Sequence, residues 1–241
     1  MGIYLNPNNA LLQRDLNSPI YIDKSMLIAE LNALINTNGN FLCVSRPRRF
    51  GKSMAGNMIS AYYSKGCDSR ELFKDLKIAQ HPSFEKYLNK LNVIKIDLNG
   101  EYMSSHEDFL QIMQEKIMRD FVREYPDIDF SYCRNFGDCM LEIYAAMGET
   151  FVIIIDEYDV LVREKVPQTL FKEYLTFLNS LFKNSTLSPA ISLAYLTGIL
   201  PIVRDKIQSK LNLFAEYSMT DAGRLTEFVG FTAEETKALC E

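Results

Sequence analysis

Apolar residues along this chain gather either in short runs or at spacings of three and four. Phe41-Leu42-Cys43-Val44, Val93 to Leu98, Phe151 to Ile155 and Ala190 to Leu196 are of the first kind, and Phe214 to Ser218 adds a fifth. Phe151-Val152-Ile153-Ile154-Ile155 has no polar alternation and is rich in β-branched residues, the pattern of a strand covered on both faces. Between the runs the spacing turns helical. Ser25 is placed to cap a helix through about Ile35, which the turn cluster Asn36 to Asn40 ends. A second helix is predicted from Lys52 to about Tyr63. Ser104-Ser105-His106-Glu107-Asp108 offers a capping box for a long one toward Tyr125, stopped by Pro126. Others follow over Asp138 to Met147, ended by Gly148, and over Gln168 to Phe182, broken at Asn184-Ser185-Thr186. Pro201 suits the first turn of a further short helix. Residues 1–20 are Asn-rich and hold Pro7 and Pro19, which predicts an extended arm. Strands alternating with helices predict an α/β fold. The sheet is expected to be doubly wound, mainly parallel and five-stranded, with helices on both faces and a site at the strands' C-terminal edge.

The first strand runs into Arg46-Pro47-Arg48-Arg49-Phe50-Gly51-Lys52-Ser53-Met54 and then a helix. A strand, a tight turn and a helix N-terminus aim backbone N–H groups and partial positive charge at one point, as a polyphosphate requires. Lysine then reaches the outer phosphates and the hydroxyl takes a magnesium ion. The usual P-loop (Walker A) pattern begins with glycine, where this chain has Arg46. Lys52 is therefore expected to hold the β- and γ-phosphates and Ser53 to coordinate Mg2+. Arg46, Arg48 and Arg49 either neutralise phosphate charge, act across a subunit contact, or face solvent and acids.

The Phe151 strand ends in Asp156-Glu157. At that place in a P-loop ATPase (Walker B) the first carboxylate holds magnesium beside the loop hydroxyl, and the second orients the attacking water. Asp156 is thus the expected metal carboxylate and Glu157 the expected base. An acid at the second position favours hydrolysis over transfer to a bound hydroxyl. Asp159 is expected to shape the loop. Asn89-Lys90-Leu91-Asn92 lacks the aspartate of a guanine-reading motif, so ATP is preferred to GTP.

Bulk properties narrow the picture modestly. The 241 residues, 47% of them apolar, suffice for a full core. A formal net charge of −5 does not indicate a dominant nucleic-acid or anionic-membrane surface, and direct nucleic-acid binding is not assigned. The longest apolar stretch is too short to span a bilayer, and the N-terminus lacks the features of an export signal. Five cysteines, one inside the first strand, suit buried thiols in a reducing cytoplasm. Zinc ligation is not expected from Cys133 and Cys139 with only two histidines in the chain. Asp75-Leu76-Lys77 and Glu235-Thr236-Lys237 match a nuclease triplet but read as solvated faces. Met54, Met58 and Tyr62 read as packing.

Four segments together resemble the prokaryotic AAA-ATPase-like domain that often precedes a PD-(D/E)XK nuclease-like domain. They are Tyr21-Ile22-Asp23-Lys24, the block from Ser45 to Ser53, Ile155-Asp156-Glu157-Tyr158-Asp159, and Leu196-Thr197-Gly198-Ile199-Leu200-Pro201-Ile202. Arginine in place of the first glycine is typical of that family. Val160-Leu161 departs from it where a proline is expected nearby, and Leu213 where a second asparagine is expected. The resemblance implies an ASCE/AAA-like core over residues 1–218, with an arm over 1–24, and the start of a truncated lid at 219–241. It implies ATP and Mg2+ as ligands, slow hydrolysis in isolation, an absent C-terminal nuclease-like partner domain, and self-association as an open option. Thr197 matches the residue that senses the γ-phosphate in related ATPases. Arg204 is positioned to approach a phosphate or to lie at the surface. Tyr21, Asp23 and Lys24 would line the adenine side.

Overall fold

Five strands form one sheet among the described residues: β1 (Phe41–Ser45), β2 (Asn92–Asp97), β3 (Phe151–Asp156), β4 (Ile191–Gly198) and β5 (Ala215–Tyr217). The structure is a computed structural model that describes residues 2–201, 212–221 and 223–240. Strand order is β2-β3-β4-β1-β5, and every neighbouring pair is parallel. A parallel pair needs a crossover over one face, so all five strands point their C-terminal ends at the same edge. Every residue of β1, β3 and β4 is buried, as their apolar runs require. Register places Ser45 beside Gly198 and Asp97 beside Asp156 at that edge.

Alternation along β3 divides the core in two. Val152 and Ile154 pack with Leu42, Val44, Leu193 and Tyr195 against helices on one face. These are α1 (Ala10–Leu16), α2 (Leu27–Asn32), α3 (Lys52–Tyr63), α4 (Arg70–Phe73) and α5 (Phe84–Tyr87). Phe151, Ile153 and Ile155 turn the other way. They meet α6 (Leu98–Ser105), α7 (Phe109–Glu124), α8 (Phe136–Met147), α9 (Val160–Arg163) and α10 (Gln168–Phe182). The expected doubly wound α/β architecture with helices on both faces is therefore present. A last helix, α11 (Ala233–Cys240), is opened by the Thr232–Glu235 capping box, in which each residue's side chain accepts the other's backbone N–H. No helix among the described residues is long and apolar enough to cross a membrane.

Local expectations fail where a distant partner intervenes. The N-terminal arm is not simply extended. Leu5 forms an antiparallel bridge with Ile94 and is fully buried, and the buried Asp120 carboxylate on α7 accepts the N–H groups of Ile3, Tyr4 and Leu5. Residues 10–16 then form α1 after Asn8 accepts the Ala10 N–H. Ser25 does not cap α2; its hydroxyl accepts the Ile78 N–H, and the helix is confined to Leu27–Asn32. Ser104 and Ser105 end a helix rather than cap one: the short 3-10 turn His106–Asp108 that follows has no side-chain cap. Asp97 caps α6 by accepting the Gly100 N–H, so a helix starts directly from β2, and α7 begins only at Phe109. The helix expected at Pro201 lies outside the described residues.

Candidate functional site

The turn after β1 carries the strongest local constraints. Arg46 extends the β1–β4 pairing by one bond, its N–H reaching Gly198 O at 3.0 Å. Arg49 and Gly51 then adopt left-handed backbone, φ 69° and 74°. Gly51 meets nothing within 4 Å at its missing Cβ, so its freedom of φ rather than close packing is what the turn uses. It also has no side chain to cap α3, whose N-terminus opens toward the sheet edge. The Lys52 ammonium folds back over the loop and donates to Arg46 O and Pro47 O, both at 3.0 Å. Burial lowers the Lys52 pKa, opposed by the charges of Asp156, Glu157 and Asp159 in that order. The loop lysine and the β3 acids therefore share one electrostatic neighbourhood. Ser53 is exposed on the first turn of α3.

The three arginines separate. Arg46 is buried, and its guanidinium donates to Ser45 O at 3.0 Å and Tyr217 O at 2.8 Å, fastening β1 to β5 from below the loop. Arg48 and Arg49 are exposed beside Pro47, and Phe50 is half-buried.

Across the edge, Asp156 Oδ1 accepts the Thr197 hydroxyl and, at 3.0 Å, the Glu157 N–H. Thr197 O accepts the Tyr158 N–H at 3.0 Å, so β3 and β4 end as one braced unit. Asp159 accepts the N–H groups of Ile199 at 3.1 Å and Leu200 at 2.8 Å, the loop-shaping position expected for it. Gly198 is required here, because a Cβ would lie 2.5 Å from the Tyr158 ring. Glu157 holds left-handed backbone at φ 56°, and its carboxylate is ion-paired with Arg163 of α9. One turn beyond Ser53, Asn57 accepts from Lys95 of β2, whose pKa burial lowers against the opposing charge of Asp156.

A cavity of about 120 Å³ lies beside the loop. Tyr21, Ile22 and Lys24 of the arm, Phe50, Met58, and Phe228, Gly230 and Phe231 line it. Met54 and Met58, read as packing, also face this space. Asp23 does not: it accepts the N–H groups of Ser25 and Lys77. Glu235 is no solvated face, since its carboxylate accepts the Thr232 N–H and pairs with Lys24 at 2.6 Å. Arg204 lies outside the described residues. Sequence reasoning missed Arg163 and the Phe228 segment. The acid-x3-Arg spacing from Asp159 to Arg163 was a usable helical signal for the first; nothing local marked the second.

A family model described as AAA-ATPase-like, predicted AAA-ATPase, matches residues 14–208. That span covers most of the chain and every site residue discussed up to Thr197. The chain belongs to this family. The AAA-ATPase-like domain is also 23% identical over 229 residues to an uncharacterized protein in the vnfD 5' region of Azotobacter chroococcum mcd 1. The match takes in 91% of this chain and 41% of that protein, so the chain spans about two fifths of its relative's length. Among solved structures, PCH-2 of C. elegans matches 86% of this AAA-ATPase-like chain and 39% of its own at 14% identity. The TM-score of 0.37 is too low to support an argument.

Proposed function

We propose that this chain binds ATP with Mg2+ and hydrolyses it slowly, its nucleotide state controlling an attached C-terminal nuclease-like effector. The observation that carries this reading is that β1 and β3, parallel in one sheet, end at the same edge, so that Lys52 after β1 and Asp156 and Glu157 at the end of β3 belong to one rim, with the charges of both acids acting on Lys52. The donor set suits magnesium: one exposed hydroxyl, Ser53, and one carboxylate, Asp156, leave room for the several waters this ion retains. When bound, the ion would neutralise charge on the β- and γ-oxygens. Lys52 would leave its two carbonyl acceptors for the phosphates. Glu157 would orient and deprotonate the attacking water, and Thr197, bonded to Asp156, would register the terminal phosphate. The apolar cavity behind Phe50 suits a purine base against Tyr21 and Ile22, and residues 219–241 would act as its lid.

One observation favours a second reading, a nucleotide-dependent switch that scarcely hydrolyses: the Glu157 carboxylate is engaged by Arg163. Steady-state phosphate release separates the two. Under the ATPase reading, Glu157→Gln lowers kcat by about 100-fold while ATP affinity is kept. Lys52→Ala abolishes phosphate release in the same assay. Equal, slow release by wild type and Glu157→Gln would leave the switch and remove the enzyme.

A further inference from the structure

Arg163 closes a ring of charged contacts around the expected base. Its Nη2 donates to Glu157 Oε2, and its Nε lies 3.2 Å from Asp159 Oδ2. The second contact is an ion pair without a hydrogen bond, and both Arg163 Nε and Asp159 Oδ1 are buried without a hydrogen-bond partner. Asp159 in turn is fixed by the Ile199 and Leu200 N–H groups, two and three residues beyond Thr197. A single planar guanidinium thus ties Glu157 to the end of β4, where the Thr197–Asp156 bond lies. Arg163 is 12% exposed and Asp159 1%, so the Asp159 end of the fork is shielded from competing water, while the Glu157 carboxylate, 27% exposed, remains open to solvent. Glu157 needs such a tether. Its left-handed backbone at φ 56° is unfavourable for a residue with a Cβ and persists only where surrounding contacts hold it.

We infer that Arg163 is a positioning residue for Glu157, holding one carboxylate oxygen so that the other faces the attacking water. The inference rests on the ATPase reading above. Without the fork, the carboxylate swings over several rotamers and the geometry needed for proton abstraction is populated only in part.

The test is a kinetic cycle on the full chain with MgATP. Arg163→Ala is expected to lower kcat by about 10- to 100-fold, with KM changed less than about threefold. Arg163→Lys, which keeps the charge but lacks the planar fork that fixes both acids at once, is expected to fall between. In a Glu157→Gln background Arg163→Ala should alter kcat by less than about twofold, because its effect runs through the missing base. If Arg163→Ala melts near the assay temperature, Arg163→Lys carries the same cycle. Full kcat in a hydrolysing protein that carries either substitution would overturn this inference alone. So would additive losses in the double variant, or a loss of affinity for ATP but not ADP, which would put Arg163 on the γ-phosphate. A wild-type chain that binds ATP and releases no phosphate would remove the ATPase reading and this inference together.

Discussion

At the scale of single residues, Arg46 stands where the usual P-loop has a glycine, and its guanidinium is turned to two backbone carbonyls. The usual P-loop opens with glycine to let the backbone turn. Here the turn's left-handed positions fall later, at Arg49 and Gly51, and Arg46 is free to join β1 to β5 through the carbonyls of Ser45 and Tyr217. Restoring the common pattern should therefore do harm. Arg46→Gly removes a charged donor from Ser45 O and Tyr217 O and is expected to cost about 2 kcal/mol of stability. Urea unfolding of the two proteins measures it; an unchanged midpoint would mean the guanidinium is not holding β5.

At the scale of elements, contacts between segments far apart in sequence do what local propensity cannot. Glu149, two residues before β3, accepts from Lys65 at 2.6 Å and Asn92 at 2.8 Å, with the Tyr125 hydroxyl at 2.8 Å. It joins the chain just past α3, the start of β2 and the end of α7. Burial alone would raise its pKa, but the hydrogen bonds from Lys65, Asn92 and Tyr125 and the Lys65 charge outweigh it and hold it below the ordinary 4.5. A carboxyl lowered by folding stabilises the fold fully above its unfolded value and loses that contribution as pH falls through the folded one. Glu149→Gln should then be less stable than wild type at pH about 7, with the gap closing below pH about 4. Unfolding midpoints at the two pH values check the sign. The same division explains what the sequence made legible. Strands β1 and β3, helix α10 and the Gly148 stop are written in nearby residues: unbroken apolar runs, three-four spacing, a left-handed glycine. Likewise Lys52, Ser53, Asp156 and Glu157 sit in short motifs. The buried arm depends on Asp120, more than a hundred residues away, and the cavity wall on Phe228. Neither dependence has a local signature.

At the scale of the whole molecule, three distant segments close one cavity, and that closure can be tested apart from the phosphates. Lys24 of the arm pairs with Glu235 of α11 and donates to Glu227 O, drawing the C-terminal segment over the loop. Ligand binding to this closed form should raise its stability by about 2.7 kcal/mol at a hundredfold excess over Kd. For a chain of this size that is a rise of about 5–10 °C in Tm. Gly230, which lines the cavity, offers a test of whether a base occupies the space. It adopts φ 99°, and a Cβ there would lie 2.7 Å from the Phe50 ring. Gly230→Ala thus both strains the backbone and pushes Phe50, which itself lines the cavity. Tripolyphosphate shares the anion chemistry of ATP but has no base to seat. The substitution should weaken ATP binding by about tenfold, or 1.4 kcal/mol, and leave tripolyphosphate affinity nearly as it was. Calorimetry with both ligands gives the comparison directly. Equal weakening of the two would mean that Gly230 acts through the loop alone, and the cavity would have no claim on the purine.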